Sequence, residues 1–350
     1  MIVCPARLEP TFSPRPWGSL SLAPLFPEKS NLAEPLGEAW MTGNESRFAS
    51  GPFAGKTLGE AWPEMPPEWA GTRADQSGAF PLLVKFIFPE EKLSVQVHPD
   101  DDYASQRERE AGGRGKTEMW YVLRARPGAE VMVGLKSSVT RGEFQRAIAD
   151  GTAEKCLEHI PLRAGDAVFV PAGTAHTIGP GLVLCEVQQN SDLTYRVYDY
   201  NRRDAQGRAR ELHIAKALDV MRFGKQIGGK VEPVRVRQGP LTATHFAACR
   251  YFATEQWEFS ERINTATSRE HFDLLIFLDG SGSIQWGADR AEYAPAQVWL
   301  LPAALGDYLL APDARTLLLR TYVPGDLKEL GRRLAEQGVA EADWSGLVHR

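Results

Sequence analysis

The stretch Leu93-Ser94-Val95-Gln96-Val97-His98-Pro99-Asp100-Asp101 alternates apolar and polar residues as far as Pro99. Because a β-strand points successive side chains to opposite faces, this period of two predicts a strand with one apolar and one polar face. Pro99 ends the strand, since it has no N–H for the sheet ladder. Polar groups in so apolar a segment need partners, such as a metal ion or a ligand. The polar face, Ser94, Gln96 and His98, is therefore the first candidate site.

The composition is that of a folded chain without a strong charge bias. Of its 350 residues 43% are hydrophobic, and the formal net charge is −5 with acids and bases mixed along the chain. This argues against disorder and gives no reason to expect a nucleic-acid partner. No apolar run approaches the ~20 residues of a membrane helix, and the first ten residues show no signal-peptide pattern. The four cysteines are widely spaced and form no CxxC pair, so we expect a cytoplasmic protein with reduced thiols and no membrane partner.

Short strands separated by turns fill both halves of the chain and predict a mainly β fold. A weak internal repeat supports two similar barrels, because residues 165–172 resemble residues 297–303. The charged segment 99–115 is predicted to be a long surface loop. Loops of this kind are often lids or binding loops. The predicted domains are 1–230 with the site and short helices, 231–325 with a second barrel, and 326–350 with a helix and tail.

A second candidate segment, residues 165–176, matches the second motif of the cupin family, with Pro180 where an Asn is usual. Its Pro/Gly turn leads to a histidine on the next strand, pointing into a small barrel. The first cupin motif usually places two histidines on one strand and a glutamate on the next. Here the polar strand and the glutamate after it take those places. Two imidazoles, a carboxylate and an amide oxygen suit Zn²⁺ with an open site. The four predicted ligands are Gln96, His98, Glu118 and His176.

The cupin motifs predict the fold class: mainly β, with two cupin (jelly-roll-like) β-barrels, a few helices and no large helical insertion. The second barrel is predicted to be degenerate and metal-free. Its matching turn reads Pro302-Ala303-Ala304-Leu305, with no histidine in place. We expect it to support the first barrel or to help form an assembly.

The sequence resembles the type I mannose-6-phosphate isomerases in their short bacterial form, since it lacks room for the inserted helical domain of larger members. The resemblance runs from about residue 10 to 225 and continues weakly through the second barrel. The matching stretches are Pro14-Arg15-Pro16-Trp17-Gly18, Gly37-Glu38-Ala39-Trp40, Ser94-Val95-Gln96-Val97-His98-Pro99-Asp100-Asp101, Gly115-Lys116-Thr117-Glu118-Met119-Trp120, Val170-Pro171-Ala172-Gly173-Thr174-Ala175-His176 and Glu186-Val187-Gln188-Gln189-Asn190-Ser191-Asp192-Leu193-Thr194-Tyr195-Arg196.

The resemblance implies that the four predicted ligands bind one Zn²⁺ per chain. It implies that Arg196 is the essential active-site arginine. Lys116 matches the lysine beside the glutamate ligand, and Ser94 matches a serine near the substrate phosphate. Arg202 falls where the family carries a second basic phosphate contact, which is a lysine in the larger forms.

An isomerase that interconverts mannose 6-phosphate and fructose 6-phosphate moves a proton between adjacent carbons through a cis-enediol. A Lewis acid near the carbonyl and hydroxyl oxygens stabilises the developing enediolate. The rigid fork of Arg196 suits charge on either the enediolate or the phosphate. An acid/base pair must shuttle the proton, and Lys116 and Glu186 are the candidates. Which of the two is the base stays open.

Two other functions fit parts of the pattern. A His/Glu site on this barrel can hold Fe²⁺ and activate O₂, so a cupin dioxygenase is one alternative; Gln96 in place of a histidine and the Arg196 segment argue against it. A non-catalytic sugar-phosphate-binding cupin is the other. Such a binder needs no electrophile, which makes Lys116 and Arg196 harder to explain. A monomer and a homodimer both remain open.

Overall fold

The chain folds into two packed β-barrels with short helices at their edges. The structure is a computed structural model and describes residues 1–203, 206–224 and 227–349. The strands of the first half are β1 (Ala6–Leu8), β2 (Thr11–Ser19), β3 (Leu36–Trp40), β4 (Leu82–Ile87), β5 (Val95–Val97), β6 (Glu118–Ala125), β7 (Glu130–Leu135), β8 (Leu157–Pro161), β9 (Ala167–Val170), β10 (His176–Ile178), β11 (Leu182–Gln189), β12 (Tyr195–Tyr198) and β13 (Gly229–Lys230).

The second half is almost wholly strands, with helices at its C-terminal end. Its strands are β14 (Val234–Gln238), β15 (Leu241–Cys249), β16 (Ala253–Phe259), β17 (Ile263–Ala266), β18 (Asp273–Asp279), β19 (Gly282–Trp286), β20 (Asp289–Tyr293), β21 (Val298–Leu301), β22 (Asp307–Pro312), β23 (Thr316–Tyr322) and β24 (Val348–His349). The α-helices of the whole chain are α1 (Leu58–Ala61), α2 (Pro67–Ala70), α3 (Asp101–Arg107), α4 (Arg141–Ala149), α5 (Ile214–Val220), α6 (Leu327–Glu336) and α7 (Glu341–Trp344). In this described part, no helix combines the length and apolar character needed to cross a membrane.

The first barrel is built from two antiparallel sheets that face each other. One has the strand order β13-β9-β6-β11-β4-β3-β2, and the other has the order β12-β5-β10-β7-β8. Valines and leucines from both sheets, such as Val122, Val133 and Leu184, form the core between them. Strand alternation puts Glu118 on the same face as Val122 and Glu186 on the same face as Leu184. The inward face of these strands is thus apolar along most of its length and carboxylate-bearing at one end.

The second barrel repeats this arrangement with an eight-stranded and a four-stranded sheet. Its interior is filled by apolar side chains such as Phe277, Ile284 and Leu310. A larger apolar cluster lies outside both barrels, where Phe169 of the first packs on Phe252 of the second. The predictions of a mainly β chain and of two jelly-roll-like barrels are confirmed.

Two features depart from the sequence-based predictions. Strand β1 lies within the predicted first domain, but it pairs with β21 in the sheet of the second barrel. The segment 99–115 contains helix α3, because the Asp100 side chain caps its N-terminus by accepting from the Tyr103 N–H. A capping aspartate satisfies one of the free N–H groups of a helix start and offsets the weak apolar pattern of the segment.

Candidate metal centre and active-site cavity

The four predicted ligands come together at the carboxylate-bearing end of the first barrel. Gln96 on β5 lies directly opposite His176 on β10 in one sheet. Glu118 opens β6 in the facing sheet, and His98 lies just beyond the end of β5. The donor atoms of His98, Glu118 and His176 all lie within 4.8 Å of one another, and the three side chains are buried.

Both histidines are oriented so that Nε2 faces the carboxylate. His98 Nδ1 lies 2.7 Å from the Leu193 carbonyl, and His176 Nδ1 lies 2.9 Å from the Thr174 carbonyl. A carbonyl can only accept, so each Nδ1 donates and each Nε2 keeps its lone pair. Burial lowers the pKa of His176 to about 4, and burial with the nearby Lys116 charge holds the pKa of His98 well below its ordinary value. Both imidazoles are therefore neutral near pH 7, as metal ligands must be.

The carboxylate of Glu118 is buried between the two imidazoles, and its charged neighbour is the Lys116 ammonium, 2.7 Å from Oε2. Its Oε2 lies 3.6 Å from His98 Nε2 and its Oε1 lies 3.4 Å from His176 Nε2, and among the described residues Oε1 has no hydrogen-bond partner. Buried polar atoms without partners are uncommon in folded proteins. Gln96 Nε2 lies 3.2 Å from His176 Nε2, and turning its amide over would aim a carbonyl oxygen at the same place. Two imidazoles, a carboxylate and an amide oxygen thus fit a divalent cation such as Zn²⁺.

Lys116 contacts the same donor atoms. Its Nζ lies 2.7 Å from Glu118 Oε2 and 3.2 Å from His98 Nε2. Burial by itself lowers the pKa of Lys116, but the charges of Glu118 and Glu186 outweigh it and raise that pKa above the value of a free lysine. The site therefore holds a protonated amine within reach of the metal ligands.

Glu186 lies in the cavity wall beside the ligands. The Trp120 indole N–H donates to its Oε1 at 3.0 Å, and the side chain is 3% exposed. Burial raises the pKa of Glu186, although the Lys116 charge opposes the shift. A carboxyl group with a raised pKa can take and return a proton near neutral pH.

Lys85 was not identified from the sequence. It faces Glu186 across β4 and β11, with Nζ 3.8 Å from the Glu186 carboxylate, 3.5 Å from Asp192 and 4.3 Å from the Trp40 ring centre. A lysine that is 2% exposed needs such partners. The available signal was its position as the one charged residue in the apolar strand β4.

A cavity of about 460 Å³ lies beside the ligand set, and of the four predicted ligands Gln96 lines it. Ser94, Arg196 and Gln96 form one side of it, where the Arg196 Nε–H donates to Ser94 Oγ at 3.2 Å and Ser94 in turn donates to Gln96 Oε1 at 3.4 Å. Arg196 pairs in register with Gln96 across β12 and β5. Burial, followed by the positive charge of Arg210, lowers the pKa of Arg196. The chain thus brings all the predicted catalytic residues and Ser94 to one cavity.

Arg202 is not among the residues that line this cavity. Its guanidinium donates to Asp199 at 2.5 Å and to the Lys92 carbonyl at 2.7 Å. Arg210 lines the cavity in its place and donates from Nε to the other oxygen of Asp199 at 2.7 Å. Arg15 lines the cavity from β2, paired with Glu38 at 2.7 Å. The matching stretch around Arg15 was recognised in the sequence, but no role was assigned to that residue.

The fold and this buried ligand set define a two-barrel cupin with a candidate site for one metal ion. A sequence profile described as phosphomannose isomerase type I, catalytic domain, matches residues 6–120. The putative mannose-6-phosphate isomerase YvyI of Bacillus subtilis is 35% identical over 314 residues, which cover 89% of this chain and 96% of the relative. The chain belongs to the type I phosphomannose isomerase family.

Solved structures agree with the fold. The crystal structure of the mannose 6-phosphate isomerase from Bacillus subtilis matches with a TM-score of 0.82 at 33% identity, over 90% of this chain and 99% of that one. A zinc-bound mannose 6-phosphate isomerase matches with a TM-score of 0.71 at 16% identity, over 92% and 100% of the two chains. At that identity the second match supports the fold alone.

Proposed function

We propose that this protein interconverts mannose 6-phosphate and fructose 6-phosphate through a cis-enediol, with a zinc ion held by Gln96, His98, Glu118 and His176. The observation that carries this proposal is the buried Glu118 carboxylate that faces two neutral imidazoles beside a sugar-sized cavity, with its Oε1 lacking a hydrogen-bond partner among the described residues. Family membership adds the reaction, because relatives over nearly the whole chain are named as mannose-6-phosphate isomerases.

Zinc, when bound, would supply a Lewis acid that stabilises developing negative charge near the reacting carbons. The protein supplies the rest of the site. The carbonyls of Leu193 and Thr174 fix both imidazole rings through Nδ1. Such outer contacts hold ligands in the geometry that a bound ion needs.

Proton transfer is assigned to Glu186 and Lys116. The raised pKa of Glu186 and its place in the cavity wall make it the better proton acceptor. Lys116 is held protonated by its two carboxylate neighbours and suits donation to a substrate oxygen during ring opening. Trp120 keeps the Glu186 carboxylate aimed by its indole N–H. We therefore propose Glu186 as the base and Lys116 as the acid, a choice that the sequence left open.

The phosphoryl group is assigned to the arginine-lined end of the cavity. Arg196, Arg210 and Arg15 all line it, and among the described residues the Arg196 guanidinium contacts Ser94 and the Glu211 carbonyl without a carboxylate partner. An excess of guanidinium charge suits a phosphate, because a phosphate can accept two parallel N–H hydrogen bonds from one guanidinium. Asp199 holds Arg210 in place by accepting a hydrogen bond from the Arg210 Nε–H. We therefore propose Arg210, rather than Arg202, as the second basic contact to the phosphate.

Arg210→Ala should raise KM for mannose 6-phosphate by about 10- to 100-fold, because a charge-assisted contact to phosphate contributes about 1.5–3 kcal/mol. Arg202→Ala is the matched control, since it removes the other arginine bound to Asp199 and should change KM by less than about threefold. Steady-state kinetics of both variants decide the point. A large KM increase in Arg202→Ala with a normal Arg210→Ala would return the phosphate contact to Arg202.

A coupled assay for fructose 6-phosphate formation from mannose 6-phosphate tests the function itself. We expect turnover by the metal-loaded protein and incorporation of solvent deuterium at the reacting carbons in D₂O, as an enediol requires. Tight binding of the sugar phosphate without turnover would favour the non-catalytic binder, and oxygen uptake with an iron-loaded protein would favour the dioxygenase.

A further inference from the structure

Asp101 joins the two barrels beside the active site. Its Oδ1 accepts from the Gly115 N–H at 2.8 Å and from Gln189 Nε2 at 3.0 Å, both in the first barrel. Its Oδ2 accepts from the Tyr251 hydroxyl at 2.5 Å and from Arg250 at 3.0 Å, both in the turn between β15 and β16 of the second barrel. One carboxylate thus ties a segment of the first barrel to a single turn of the second.

The first-barrel groups held by Asp101 surround the site lysine. Gly115 precedes Lys116, and the Gln189 side chain accepts from the Thr117 N–H at 2.8 Å on the other side of it. The Lys116 N–H donates to the Pro99 carbonyl at 3.0 Å. We call residues 115–117 the lysine segment; each of its three backbone N–H groups is held by Asp101, by Pro99 or by a side chain bonded to Asp101.

The lysine segment packs tightly against the backbone of Asp101. A Cβ on Gly115 would lie 2.6 Å from the Asp101 backbone nitrogen, which is closer than side chains tolerate. Gly115 is therefore in close contact with the Asp101 backbone, while its N–H is bound by the Asp101 side chain. The Lys116 ammonium in turn lies 2.7 Å from Glu118.

Tyr251 is the second-barrel group best suited to fix Asp101. It is a rigid phenol at the surface of contact between the barrels, whereas the Arg250 side chain is 69% exposed. Burial, followed by the hydrogen bond to Asp101, raises the pKa of Tyr251, so its hydroxyl keeps the proton that it donates. A bond from a fixed phenol to a charged acceptor is stronger than a bond between neutral groups.

We propose that Tyr251 is a positioning residue, through which the second barrel sets the position of Lys116 by way of Asp101 and the lysine segment. This role rests on the proposed isomerase function, and it gives the second barrel a part in catalysis although, among the residues that the structure describes, none from that barrel lines the cavity. Misplacement of a reacting group by about 1 Å can lower the rate by about 10²-fold, and the loss of an interaction made only in the transition state lowers kcat rather than raising KM.

Tyr251→Phe removes the hydroxyl and keeps the ring. With mannose 6-phosphate we expect kcat to fall by about 10- to 100-fold, KM to change by less than about threefold, and bound metal per chain to stay unchanged. Tyr293→Phe is the matched control, because it removes another second-barrel hydroxyl bond, to Thr316 at 2.9 Å, away from the site. It should cost similar stability and leave kcat unchanged.

A double-variant test separates a positioning role of Tyr251 from a general destabilisation of the protein. If Tyr251 acts through Asp101, then Tyr251→Phe should lower kcat no further once Asp101→Ala is present. Independent losses that multiply in the double variant would overturn the proposal, and so would an unchanged kcat in Tyr251→Phe alone. If the unmodified protein has no isomerase activity, the proposed function and this role are both overturned. If the unmodified protein is active and Tyr251→Phe has an unchanged kcat, only this role is overturned.

Discussion

Replacing His98 with alanine should remove stoichiometric metal binding and lower kcat/KM by about 10³-fold or more. The expected size follows from the loss of a Lewis acid that contributes several kcal/mol to transition-state stabilisation, with each ~1.4 kcal/mol equal to about tenfold in rate. His98 supplies one of the two inward-facing imidazole nitrogens, and its Nδ1 is already fixed by Leu193. Metal content by elemental analysis and steady-state kinetics give both readouts.

His159→Ala is the control for His98→Ala. His159 lies on β8 of the same barrel, pairs with Glu130 at 2.9 Å, and has a side chain that is 44% exposed. Metal content and kcat/KM of His159→Ala should equal those of the unmodified protein. A His98→Ala protein that folds, keeps its metal and keeps its activity would contradict the ligand assignment.

Arg320→Met should lower the free energy of unfolding by about 3–5 kcal/mol, because it leaves buried carboxylates without their counter-charge. The Arg320 guanidinium lies inside the second barrel, 2.8 Å from Glu255 and 3.0 Å from Asp273, and all three side chains are at most 10% exposed. Denaturant unfolding of the two proteins measures the difference. A loss below about 1 kcal/mol, the range of exposed ion pairs, would contradict the expectation.

Arg315→Met provides the comparison for the buried arginine. Arg315 precedes β23 and pairs with Glu258 at 2.8 Å, but its side chain is 51% exposed. We expect a loss below about 1 kcal/mol for this variant.

The cost of Arg320→Met should also depend on pH. Burial would raise the pKa of Asp273, but Arg320 and His271 outweigh it and lower that pKa below the ordinary value. A carboxyl group whose pKa is lower in the folded protein than in the unfolded chain stabilises the fold at pH values above its unfolded pKa of about 4. This contribution is lost as the pH falls through the pKa of the folded protein. The gap between Arg320→Met and the unmodified protein should therefore be largest near neutral pH and narrow below about pH 4.

Local sequence patterns identified most residues of the candidate metal site. The alternation of Ser94, Gln96 and His98 was enough to place three polar groups on one face of a strand, and the Pro/Gly turn before His176 marked the second strand of the site. Both inferences depend only on the period of a β-strand and on turn chemistry. The donor set suggested zinc, and the resemblance to a known family then implied the reaction.

The parts that the sequence did not predict depend on long-range packing. Lys85 joins the site only because β4 pairs in one particular register with β11, a strand that lies far along the chain. Arg210 replaces Arg202 at the cavity because Asp199 binds both arginines and only one of them faces inward. Strand β1 crosses to the second barrel for the same kind of reason, since its partner β21 lies far along the chain.

The most direct test of the central claim is the activity of metal-stripped protein on mannose 6-phosphate before and after zinc is restored. Chelator treatment should abolish turnover, and one equivalent of Zn²⁺ per chain should bring it back, with no recovery in His98→Ala. Full activity in protein shown by elemental analysis to be free of divalent metal would contradict the account.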